Sequence, residues 1–106
     1  MSYIVHVTAV VKGDLERIEA LINDYRYNCL QNQPGMKSFF VCRALDRPNV
    51  FLYTQVFKDA DAHKAHIEGE DPKTFFAKME AENFHFQGRW MAGQEIESVP
   101  SGHLLN

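Results

Sequence analysis

The segment from Ser2 to Lys12, SYIVHVTAVVK, is apolar on both faces of an extended chain. Strand alternation puts Tyr3, Val5, Val7, Ala9 and Val11 on one side and Ile4, His6, Thr8 and Val10 on the other. A strand with two largely apolar faces needs cover on both, which predicts a central position in a sheet. The chain has 106 residues, a length that predicts one domain over 1–106, with a core over about 2–99 and a short tail at 100–106. The rest of the sequence must supply what covers each face.

Gly13 breaks the alternation and Asp14 is a good helix N-cap. Beyond it Leu15, Ile18, Leu21, Ile22, Tyr25 and Cys29 fall at helical spacing, opposite Glu16, Arg17, Glu19, Asn23 and Asp24. This predicts a helix with one buried face, ending near Gln31 before Pro34-Gly35. Residues 37–45 and 50–58, rich in aromatic and β-branched types, predict a hairpin turned by Asp46-Arg47-Pro48-Asn49. Asp59 begins a short helix that Gly69 closes. Asp71 then predicts a second N-cap, with Pro72 in the first turn and Phe75, Phe76 and Met79 buried. A last extended segment runs from about Phe84 to Val99, ahead of Pro100 and Gly102.

The order β-α-β-β-α-β predicts an α+β, ferredoxin-like fold: a four-stranded antiparallel sheet with helices on one face. Helices on one face leave the other bare, although the first three strands are apolar there too. That predicts a two-fold homodimer through the open face of the sheet.

Charge and motifs narrow the function. Eleven Lys and Arg against 14 Asp and Glu leave a net charge of −3, with no basic stripe for nucleic acid. The apolar runs are too short for a membrane span and no signal-peptide pattern opens the chain, so a cytoplasmic protein without membrane contact is expected. Cys29 and Cys42 are in neither CxxC nor zinc spacing and are expected to be reduced. The phosphate-cradling patterns GxGxxG and GxxxxGK[ST] and the nucleophile elbow GxSxG do not occur.

There are five histidines. His63 and His66, three apart on the short helix, read most simply as solvated helix-surface residues, and no bound metal is expected. His66, among Ala62, Ala65 and Ile67, also lies on or beside that helix's buried face. His6 interrupts an apolar strand, either as a half-buried histidine with one satisfied ring nitrogen or as a pocket base. Most of the aromatic residues belong to the core, yet a helical layer over bulky aromatics can leave a dry cavity. Arg43 and Gln55, on adjacent strands, are polar groups such a cavity can use; exposed strand positions are the alternative.

Taken together, Pro34-Gly35-Met36, the strand reaching Arg43, the Pro48-containing turn, FLYTQVFKD and the helix ADAHKAH ending at His66 resemble the antibiotic biosynthesis monooxygenase family. That family belongs to the dimeric α+β barrel superfamily, and the likeness runs from about Tyr3 to Ile96. The resemblance implies a pocket between sheet and helices in each subunit of a dimer. It also implies a cofactor-independent monooxygenase acting on a small aromatic phenol or quinol, with no cofactor required. His66 or His6 would act as base and Arg43 or Trp90 as oxyanion donor, with Gln55 and Phe76 also contacting substrate. Haem-degrading members carry tryptophan at the position of His66 and asparagine at that of His6, and this chain has neither. Two alternatives stay open. One is a non-catalytic small-ligand-binding dimer; the other is an isomerase of a small phosphorylated metabolite, drawing on Lys37, Arg43 and Arg89.

Overall fold

A computed structural model describes residues 1–96. Its elements are β1 Tyr3–Lys12, α1 Leu15–Asn32, β2 Met36–Arg43, β3 Val50–Phe57, α2 Ala60–Glu68, α3 Glu70–Ala81 and β4 His85–Gln94. The end of the last expected strand at Val99, the tail at 100–106 and His103 lie outside the described residues. The strands form one open antiparallel sheet in the order β2-β3-β1-β4, with the helices on one face, which is the expected α+β ferredoxin-like fold.

β1 is central, and its two faces part company. Val5, Val7, Ala9 and Val11 are buried under the helices, whereas His6, Thr8, Val10 and Lys12 are exposed. The register pairs Val5 with Gln55, Val7 with Tyr53 and Ala9 with Phe51, so the inward side chains of β1 and β3 make a continuous floor. On it α1 sets Ile18, Leu21, Ile22, Tyr25 and Cys29, the stripe its spacing predicts. Each such large apolar side chain contributes about 1.5–3 kcal/mol on full burial. Asp14 caps α1 by accepting the Arg17 N–H at 3.1 Å. Gly13 just before it has φ +141, and a Cβ there would strike the Phe84 ring.

Two glycines place α2 and α3. A Cβ on Gly35 would stand 2.7 Å from the Ala62 Cβ, so the Pro34-Gly35 step is what lets α2 lie against the start of β2. Gly69 is at once the C-cap of α2 and the N-cap of α3. Asp71 therefore does not cap α3, as its sequence context suggests. It lies inside the first turn, and its carboxylate is taken by the end of α1, with Oδ1 accepting from Asn32 Nδ2 at 3.1 Å and Oδ2 from Gln33 Nε2 at 2.7 Å. Phe75 and Met79 are buried, but Phe76 is 44% exposed, because it lies on the flank of α3 rather than under it. β2 stops at Arg43, short of the expected residue 45, as the chain peels off into the turn with Leu45 fully exposed.

The far face of the sheet has no cover within the described residues. Phe40, Leu52 and Met91 are exposed there, and His6, Thr8, Cys42 and Thr54 join Phe40 and Leu52 around a groove of about 380 Å³.

Candidate active site

Between the helices and the inward face of β1, β3 and β4 lies a cavity of about 460 Å³, within the range of small-molecule sites. Its floor is Val5, Val7, Tyr53 and Gln55, with Gly88 and Trp90 from β4. α2 contributes His63, His66 and Ile67, α1 contributes Tyr25, and Pro72, Lys73 and Phe76 of α3 complete the wall. Most of this lining is apolar, and two of its polar side chains, Tyr25 and Gln55, meet at His66.

His66 is buried, 5% exposed, and bonded at both ring nitrogens. Nε2 lies 3.0 Å from Tyr25 Oη and 3.4 Å from Gln55 Nε2. Nδ1 lies 3.0 Å from Gln33 Oε1, and the Cys29 thiol is 4.0 Å away. Burial pushes the His66 pKa down to about 4; neighbouring His63 adds to the depression, and Asp71 partly offsets it. The imidazole is thus neutral at physiological pH and keeps one basic ring nitrogen, which is the state a proton acceptor needs. Burial also raises the Tyr25 and Tyr53 phenols well above their ordinary value and lifts the Cys29 thiol to about 12. All three stay protonated, as donors or packing groups.

His63, one turn earlier, is buried in an aromatic cage: Phe57 at 5.1 Å, Tyr3 at 5.2 Å and Trp90 edge-on at 5.4 Å between ring centroids. Desolvation lowers its pKa too. The expectation of solvated helix-surface histidines is therefore overturned for both, whereas the placing of His66 on or beside the buried face of its helix agrees with its burial. α2 is short, and the close approach at Gly35 presses it onto the sheet, so the face carrying His63 and His66 is the buried one. Among the described residues no three His, Cys, Asp or Glu side chains come together as a metal site.

Of the residues singled out from sequence, the fold brings four to this cavity: His66, Gln55, Phe76 and Trp90. Two lie elsewhere. His6 points from the open face of the sheet, with Nδ1 2.9 Å from Thr54 Oγ1, since it is one residue out of phase with Val5 and Val7. Arg43 pairs with Phe51 at the other end of the sheet, beneath the start of α1. There its Nη2 donates to the Leu15 carbonyl at 3.2 Å and its guanidinium lies over the Phe51 ring. Glu19 Oε1 is 3.1 Å from Arg43 Nε, a charge contact without hydrogen-bond alignment. Sequence reasoning passed over Tyr25, Tyr53 and Gln33. Tyr25 and Tyr53 fall on faces counted as core, and the only clue was that each carries a hydroxyl into a buried position. Gln33 sits past the helix end, where no periodicity marks a side chain as inward.

A sequence profile described as antibiotic biosynthesis monooxygenase matches residues 1–78. Trp90 and the rest of β4 lie beyond the matched span. No curated protein sequence matches the chain. Among solved structures, SnoaB, a cofactor-independent oxygenase from Streptomyces nogalater, superposes with a TM-score of 0.77 at 15% identity, covering 93% of this chain and 97% of that one. A Deinococcus radiodurans protein assigned to the antibiotic biosynthesis monooxygenases gives 0.78 at 16% identity, over 92% and 95%. One from Nitrosomonas europaea with the same assignment gives 0.71 at 21%, over 87% and 89%. At these identities the likeness establishes a shared fold.

Proposed function

The chain belongs to the antibiotic biosynthesis monooxygenase family, and on that premise we propose that it is a cofactor-independent monooxygenase of a small aromatic phenol or quinol-type substrate. The observation that carries this reading is a buried, neutral His66 in the lining of a mostly apolar cavity, its Nε2 beside Tyr25 and Gln55 of the same lining. Oxygenation without a cofactor needs a substrate that can itself reduce dioxygen, and an aromatic phenol does so once it loses a proton. His66 Nε2 takes that proton. The resulting imidazolium beside the substrate anion is held by their mutual attraction, which raises the histidine's proton affinity at the moment it is needed. The anion passes one electron to dioxygen, and the radical pair closes a carbon–oxygen bond. The peroxide anion recovers the proton from His66, and for an anthrone-type methylene the hydroperoxide loses water to leave a ketone. The balance is one methylene and one dioxygen in, one carbonyl and one water out. Once Nε2 carries the proton it no longer accepts from Tyr25, whose hydroxyl, with the Gln55 amide, then donates to the developing oxyanion, while Phe76 and Trp90 flank the ring system.

None of the three cations an isomerase of a phosphorylated compound would draw on lines the cavity, and Lys73, which does, lies 3.7 Å from the Glu70 carboxylate. Lys37 is occupied with Ser2 Oγ at 2.9 Å, Arg43 is bound beneath α1, and Arg89 pairs with Thr8 on the open face. The bare apolar face around Phe40, Leu52 and Met91 supports a homodimer joined there, with one cavity in each copy. The test of the reaction is oxygen uptake by purified, metal-free protein given an anthrone or quinol. His66→Ala is expected to slow uptake by about a hundredfold or more. Uptake at the wild-type rate by that variant would refute the assignment.

A further inference from the structure

We infer that Asp71 and Gln33 are positioning residues that set the tautomer of His66, fixing its proton on Nδ1 and its basic lone pair on Nε2, beside Tyr25 and Gln55. The inference rests on the oxygenase reading only for its catalytic consequence; the tautomer itself follows from the hydrogen bonds.

An ionised carboxylate can only accept hydrogen bonds, so the end of the Gln33 amide that faces Asp71 Oδ2 at 2.7 Å must be its NH2. The other end, 3.0 Å from His66 Nδ1, is then the carbonyl oxygen, also an acceptor. Two acceptors cannot bond to each other, so Nδ1 carries the proton. In a neutral imidazole Nε2 is consequently the acceptor, receiving from Tyr25 Oη at 3.0 Å and facing Gln55 Nε2 at 3.4 Å. Had the amide been free to turn over, both tautomers would have been served about equally. It is not free: Asn32 Nδ2 donates to the second Asp71 oxygen at 3.1 Å, and the carboxylate sits in the first turn of α3, where the backbone favours negative charge.

The same chain explains two features that otherwise have no role. Asp71 does not cap α3, because its carboxylate is committed to the end of α1. Gln33, the C-cap of α1, turns inward although no apolar periodicity directs it there. A carboxylate two bonds removed thus orders the ring nitrogen that meets substrate without touching substrate itself.

The experiment is a nitrogen-15 NMR measurement of His66 in the full chain, wild type against Asp71→Asn, near neutral pH. The expected wild-type signals are those of an Nδ1–H ring. In Asp71→Asn the asparagine amide can present either end to Gln33, so a substantial Nε2–H population appears. Turnover of an anthrone then falls about tenfold or more, with KM within about twofold. Gln33→Leu serves as a second variant, expected to release the tautomer in the same way. A wild-type proton on Nε2 overturns the inference, as does an unchanged tautomer in a folded Asp71→Asn or Gln33→Leu. If the protein oxidises no anthrone or quinol, the oxygenase reading fails, while the NMR result still decides the tautomer.

Discussion

Replacing His66 by asparagine should remove a defined part of the protein's sensitivity to acid. In the folded chain His66 is held at about 4, against 6.5 for an unperturbed histidine. Between those values the unfolded chain binds more protons than the folded one, so stability rises with pH. The contribution is therefore intact above about 6.5 and is lost as pH falls toward about 4. Linkage over that interval gives about 3 kcal/mol in all, and about 2 kcal/mol between near pH 7 and near pH 5. For a domain of this size the latter corresponds to about 10 °C in Tm. The assay is urea unfolding of wild type and His66→Asn at both pH values, and the quantity is the difference of differences. Carboxylates and the remaining histidines titrate in both proteins and largely cancel. The variant should lose about 2 kcal/mol less than wild type on acidification. Equal losses in the two proteins would mean that His66 is not desolvated, and the neutral buried base would be lost with it.

Gly35→Ala should destabilise the fold by about 1–3 kcal/mol, because its new Cβ meets the Ala62 Cβ at 2.7 Å. Thermal melting checks this, and adding Ala62→Gly should recover part of the loss. Phe40→Glu puts a charge on the bare sheet face, where Phe40 is 61% exposed, and should shift sedimentation from the proposed dimer to monomer while leaving the monomer's melting temperature nearly unchanged. Arg43→Ala should leave oxygen uptake within about twofold of wild type and cost about 1 kcal/mol or less, since its half-exposed ion pair with Glu19 contributes little; a large fall in uptake would place Arg43 in the reaction after all.

The fold was legible because its signals are local. The period changes from two to about 3.6 at Gly13, the caps at Asp14 and Asp59 are ordinary, and the two-faced apolar run of β1 announces a central strand. What was not legible is set by contacts distant in sequence. Asp71 looks like a cap until the end of α1 is seen beside it. His63 and His66 look solvated on a helix of nine residues whose inward face is decided by the close approach at Gly35, not by its own weak amphipathicity. His6 and Arg43 carry the right chemistry, but one residue of strand phase and the β2–β3 register send them elsewhere. Gln55 has the opposite history: a polar residue in an apolar strand, placed beneath His66 by its pairing with Val5.

The most direct test of the central claim is a crystal structure of the protein with a stable, planar aromatic ketone of the anthraquinone type. The account predicts the ring system in the helix-side cavity between Phe76 and Trp90, with an oxygen within hydrogen-bond reach of the Tyr25–Gln55–His66 cluster. A ligand seated on the open sheet face beside His6, or a cavity left empty while turnover proceeds, would contradict it.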